Sequence, residues 1–126
     1  MITELENNTN KSDSYVFCQK IFSSSKEIQS VELVNKKGRL VERFSSNDIV
    51  NLLSHKKEMF HMSATLQESM KKDYDDELGK VNYSYVEREK VSIFSFGVGD
   101  DILIVTLKNA INPHVIAKEI ISFLAQ

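Results

Sequence analysis

Apolar and polar positions alternate from Ile28 to Val34 and again after a short polar turn. In Ile28-Gln29-Ser30-Val31-Glu32-Leu33-Val34, apolar Val31 and Leu33 stand between polar Ser30 and Glu32, the period of a half-buried strand. Asn35-Lys36-Lys37-Gly38 supplies turn chemistry, with Gly38 free to take positive φ, and Arg39-Leu40-Val41-Glu42-Arg43-Phe44 returns. This pattern predicts a hairpin. Before it, Phe17 with Ile21 and Cys18 with Phe22 share a helical face, which predicts a short amphipathic helix opening at Asp13 or Ser14. Ser23-Ser24-Ser25 ends that helix.

After the hairpin the period lengthens. A helix is predicted over Ser46–Met70, capped by Ser45 or Ser46, with Asp48 favouring its N-terminus. It carries two apolar rows. One holds Leu52, Met59, Met62, Leu66 and Met70; the other holds Ile49, Leu53, Phe60 and Ala64. A face this wide either lies deep in its own core, or covers a sheet with one row and meets a second surface with the other.

Three strands and a helix complete the chain. Val81–Val86 alternates, with Val81, Tyr83 and Tyr85 on one face. Glu87-Arg88-Glu89-Lys90 turns the chain, and Val91–Phe96 carries apolar groups on both faces. Ile102–Leu107 is almost wholly apolar, which predicts a central strand with helices above and below. Asn112-Pro113 starts the last helix: asparagine caps and proline suits the first turn. Its buried stripe is Ile116, Ile120, Phe123 and Leu124. The order predicts an α+β domain: a five-stranded antiparallel sheet with a long helix on one face and the terminal helices on the other. Residues 13–126 form this one domain, and residues 1–12, rich in Asn, Thr and Glu, form a flexible tail.

Composition narrows the function. The chain has 126 residues, 41% hydrophobic and 27% charged, a globular balance. A net charge of −2 gives no overall drive toward nucleic acid or an acidic membrane. A single cysteine, Cys18, fits a reducing, cytoplasmic setting and reads as a small buried hydrophobe. No apolar run approaches the ~20 residues that span a bilayer.

Candidate chemistry is incomplete at every point. Gly97-Val98-Gly99 is followed by two aspartates and a strand, so it reads as a turn rather than a phosphate loop. Glu58 and His61 share a helix face, but Lys57 stands where a zinc helix needs histidine. His55, His61 and His114 therefore read as surface or boundary residues. Asp73, Asp75, Asp76 and Glu77 lack the calcium-loop spacing, and Lys71–Glu77 is either a fraying helix end or an acidic loop closed by Gly79. Tyr83 and Tyr85 lack the basic-aromatic context of a base-stacking sheet. No catalytic, cofactor-binding or metal set is assigned, and the chain reads as a non-enzymatic module.

The hairpin Val31–Val41 and the segment Asp101-Ile102-Leu103-Ile104-Val105-Thr106-Leu107 before Asn112-Pro113 resemble the roadblock/light-chain domain family of the profilin-like folds. The resemblance spans residues 13–126, and the sequence style is similar to that of archaeal single-domain proteins of this shape. It implies a homodimer in which the third strand pairs with its twin and the long helices pack across the dyad. Val81, Tyr83, Tyr85, Met59, Met62 and Leu66 would then form the interface. It further implies a scaffold, or a platform or regulator for a small GTPase. The charged stretch Lys71–Glu77 departs from the family's compact pattern. The alternative is a PAS-like or profilin-like small-molecule sensor, with a cavity lined by Phe94, Phe96, Met59 and Met62.

Overall fold

The computed structural model describes residues 13–46, 54–109 and 112–125. The predicted tail over residues 1–12 lies outside them, as do Asp48, Ile49, Leu52 and Leu53. The elements are α1 (Asp13–Ser23), β1 (Ile28–Val34), β2 (Leu40–Ser45), α2 (Ser54–Lys71), a 3-10 turn (Lys72–Tyr74), α3 (Asp75–Leu78), β3 (Ser84–Glu87), β4 (Ser92–Val98), β5 (Asp101–Leu107) and α4 (Pro113–Leu124). All strand pairs are antiparallel, in the order β2-β1-β5-β4-β3. The strongly apolar β5 lies at the centre, as its composition requires.

Strand alternation sends side chains to two different cores. On one face Val31, Leu33, Phe94, Phe96, Leu103, Val105 and Leu107 pack against Cys18 and Ile21 of α1 and Ile116, Ala117 and Ile120 of α4. On the other face Val34, Ile102 and Ile104 meet Phe60 and Ala64 of α2, with Ile93 beside them. The first core is the larger. It is anchored by an aromatic group in which Phe94 lies 4.9 Å from Tyr85, 5.6 Å from Tyr83 and 5.7 Å from Phe96, centroid to centroid.

Cys18 is fully buried in this core. Burial, with the Glu42 carboxylate a lesser contributor, pushes its thiol from 9.0 up to about 11. The folded chain therefore holds a proton that the unfolded chain releases above pH 9, so stability falls as pH rises toward 11. Chemical denaturation across that range should show a steeper loss for the native protein than for Cys18→Ala. Equal slopes would remove Cys18 from the account.

Two of the three hairpin turns, β1–β2 and β4–β5, use glycine for positive φ. Gly38 has φ +79°, and its N–H donates to the Asn35 carbonyl at 2.9 Å. A Cβ at Gly38 would run into Met62 Sδ, so the turn also packs closely against Met62 of α2. Gly99, at φ +61°, opens the turn between β4 and β5.

Three boundaries differ from the sequence reading. Ser45 is not a cap: it ends β2 opposite Ser30, and the Ser46 N–H continues outward to the Gln29 carbonyl at 2.8 Å. Asn112 precedes α4 but makes no side-chain cap; Pro113 sits in the first turn as expected. β3 begins at Ser84 rather than Val81, because Tyr83 leaves the ladder to pack on Phe94 and bond His114. The stretch Lys71–Glu77 resolves as helix end, not loop, and Gly79 closes α3 by donating to the Asp75 carbonyl.

Candidate functional site: the outer face of the long helix

α2 divides its apolar rows between the sheet and the outside. Phe60 and Ala64 point down, whereas Met59, Met62, Leu66 and Met70 are 67, 56, 63 and 57% exposed. The core-only reading of this wide face is thereby corrected. One row fills the space over Val34, Ile102 and Ile104; the second is turned away from the sheet, with Met62 alone of these four placed against the β1–β2 turn at Gly38 among the described contacts. A contiguous apolar row on one helix is the kind of surface that marks a contact with another chain.

Two polar ties hold α2 in this rotation. The first is buried. Glu32 is 7% exposed and His61 5% exposed. His61 Nε2 lies 3.2 Å from Glu32 Oε1, and Arg43 Nε lies 3.3 Å from Glu32 Oε2, an ion pair without hydrogen-bond alignment. Glu32 and Arg43 are direct partners in the β1–β2 register, so the hairpin alone sets their approach. The second tie is at the other end, where Lys71 Nζ donates to Ser84 Oγ on β3. His61 is thus neither a surface nor a boundary residue. The reading as an incomplete metal helix overlooked that its partner lies on the sheet. His55 and His114 are exposed.

Beside this tie, the sheet face and α2 enclose an open groove of about 880 Å³. Its floor includes Ser30, Glu32, Ile93 and Thr106; its helix wall is Lys56, Lys57, Met59, Phe60, His61 and Ser63. The far wall is the β3–β4 turn, Arg88, Glu89, Lys90 and Val91. That turn is fixed from below. Tyr85 Oη donates to Ser92 Oγ (3.0 Å), Ser92 Oγ to Asn109 Oδ1 (2.6 Å), and Asn109 Nδ2 to the carbonyls of Arg88 and Glu89 (3.3 and 3.2 Å). The groove's rim is therefore rich in cations held on rigid backbone.

The anticipated ligand cavity does not form. Phe94 and Phe96 belong to the core under α1 and α4, while Met59 and Met62 stand on α2 across the sheet. Alternation along β4 puts its phenylalanines on the face away from α2. The other residues singled out from the sequence are also placed. Tyr83 and Tyr85 are half-buried under their own sheet, with Tyr83 Oη hydrogen-bonded to His114 Nδ1 at 2.6 Å. Val81 lies outside β3 and is 43% exposed. Sequence reasoning missed Glu32, Arg43, Arg88 and Lys90. A carboxylate in the otherwise apolar Val31-Glu32-Leu33-Val34, opposite an arginine across a turn of known length, was the available signal for the first two. Among the described residues no helix is long and apolar enough to cross a membrane.

The fold is that of known roadblock domains. A Roadblock/LC7 domain from Streptomyces avermitilis superposes with a TM-score of 0.69 at 15% identity, covering 90% of this chain and 93% of that one. MglB from Myxococcus xanthus gives 0.67 at 15% identity, with 91% and 94% covered. The gliding protein MglB from Thermus thermophilus gives 0.66 at 9% identity, with 87% and 84% covered. No curated protein matches the chain in sequence. A family model described as a family of unknown function, DUF6659, matches residues 8–126, and the chain belongs to that family.

Proposed function

We propose that this protein is a non-enzymatic, cytoplasmic interaction module that works as a homodimer and presents a platform to another protein, with a small GTPase as the partner class. The observation that carries the reading is the exposed row Met59, Met62, Leu66 and Met70 on α2. Sheet topology supports it. β3 is a four-residue strand at the sheet's edge, paired only with β4 among the described strands. A twin β3 would complete that edge and remove a site for unwanted strand pairing. Val86, 51% exposed on β3, adds apolar surface at the same edge. The fold neighbours are consistent with assembly, since one MglB structure is described as having a tetrameric arrangement. The GTPase partner comes from the roadblock resemblance and rests on it alone.

Light scattering coupled to size-exclusion chromatography should give twice the 14.4 kDa chain mass at micromolar concentration. Leu66→Glu should shift the protein to monomer while leaving its circular dichroism unchanged, because that side chain is 63% exposed in one copy. A native monomer at ~100 μM would end the dimer reading, since an interface of the usual ~1,600 Å² holds well below that concentration. For the partner, a panel of small GTPases in both nucleotide states should yield a complex with the dimer. Failure of every member would end that half of the reading.

A further inference from the structure

We infer that the groove between α2 and the sheet is a docking site for an acidic peptide segment of a partner protein, one whose carboxylates alternate with apolar side chains. This rests on the reading of the protein as a platform, but on neither the homodimer nor the GTPase class.

The helix wall carries charge on its inner side. Lys56 and Lys57 stand one turn before Phe60 and His61, the residues that face the sheet, so both lie on the sheet side of α2. Lys57 is half-buried there. Across the groove, Arg88 and Lys90 are exposed on the β3–β4 turn. None of these four makes an ion pair. Among the described residues the pairs are Glu32 with Arg43 and His61, and Glu68 with Lys71. The carboxylates that line the groove are Glu32, already engaged with His61 and Arg43, and Glu89. A chain of net charge −2 therefore gathers unpaired cations on both walls of one groove, with Glu89 the free carboxylate among them. That excess calls for an anionic occupant.

The space between the walls suits an extended chain. Apolar Met59, Phe60, Val91 and Ile93 lie beside the hydroxyls of Ser30 and Thr106. Ser30 is 2% exposed, and neither hydroxyl has a side-chain hydrogen bond among the described residues. An extended peptide sends alternate side chains to opposite sides. Its apolar side chains then rest on Phe60 and Ile93, its carboxylates meet the cations of both walls, and its backbone finds hydrogen-bond partners in Ser30 and Thr106. The far wall is set in advance, because Asn109 holds the carbonyls of Arg88 and Glu89 before any partner arrives. A small ligand fits less well: the groove of about 880 Å³ is open, and small-molecule sites bury most of their ligand. A nucleic acid meets Glu89 between the two far-wall cations and a net negative chain.

Fluorescence anisotropy with a fluorescein-labelled peptide of alternating glutamate and leucine tests this. The peptide should bind the full chain saturably, and more weakly as salt rises. Lys57→Glu/Arg88→Glu should weaken it ~10-fold or more, because attraction becomes repulsion on both walls. Arg88→Gln/Lys90→Gln, confined to the exposed turn, should also weaken it without touching α2. Lys36→Glu/Lys37→Glu makes the same charge change on the β1–β2 turn, outside the groove, and should stay within ~2-fold of native. No binding, equal loss from the groove and β1–β2 turn variants, or equally tight binding of a glutamate–serine peptide would overturn the docking. So would tighter binding of oligothymidylate or of phosphatidylserine vesicles, which would make the groove a general anion surface. Light scattering on the same variants separates the groove from the dimer. Lys57→Glu/Arg88→Glu should keep the native mass while losing the peptide; a changed mass would assign the rim to contact between copies and overturn the docking. A monomeric native protein that binds the peptide would end the homodimer and leave the groove standing.

Discussion

Phe94→Ala is expected to lower the free energy of unfolding by about 3–5 kcal/mol. Phe94 is fully buried on β4. It faces Val105 on β5 and Tyr85 on β3 in the ladder, so its ring sits where three strands share one layer. Truncation removes the transfer energy of the ring and leaves a cavity that a sheet, pinned by its hydrogen bonds, cannot collapse to fill. Tyr83 and Tyr85, at 5.6 and 4.9 Å, also lose the surface they rest on. For a domain whose whole stability is ~5–15 kcal/mol, this is a large share. Urea titration should show a lower midpoint with an unchanged slope; a loss below ~1 kcal/mol would mean that Phe94 does not anchor this core. The consequence reaches the interface. β3 is tied to the sheet through β4 and these tyrosines, so a loosened β3 should weaken association even where the variant remains folded.

What could be read from the residues alone follows from what is local. Ile102–Leu107 announces a central strand because an apolar residue at nearly every position requires cover on both faces. Gly38 and Gly99 mark turns because the backbone there takes positive φ, which glycine alone adopts freely. The rows on α2 were visible as rows, but which one meets the sheet depends on a helix rotation that no local pattern sets. Glu32 shows the same difficulty. Alternation places it on the polar face of β1, yet α2 lies over that face, so a position that reads as exposed is buried. Tyr83 continues the alternation of its strand, yet it lies outside the ladder, bonded to His114, 31 residues away. The cationic rim eluded the sequence because Lys56 and Lys57 meet Arg88 and Lys90 only across the fold.

Glu32→Ala is expected to cost about 3 kcal/mol, toward the lower end of what breaking a buried ion pair costs. The lower end applies because one remaining partner has an escape route. Arg43 is 24% exposed along its side chain and can turn its guanidinium to water. Replacing the whole cluster separates the two contributions. Glu32→Leu with Arg43→Leu and His61→Leu removes every buried charge and should lie within ~1 kcal/mol of the native protein, since apolar packing often matches a buried ion pair. The two variants should part company in solution assembly. The triple variant keeps stability but replaces the directional tie between α2 and β1 by apolar contact, so beside the packing of Phe60 and Ala64 only the bond from Lys71 to Ser84 sets the helix's rotation. A helix held less firmly in rotation presents Met59, Met62, Leu66 and Met70 at a less fixed angle. The triple variant should therefore unfold like the native protein in urea yet dimerise more weakly in light scattering. If it dimerises as well as the native chain, the cluster contributes stability alone and does not aim the helix.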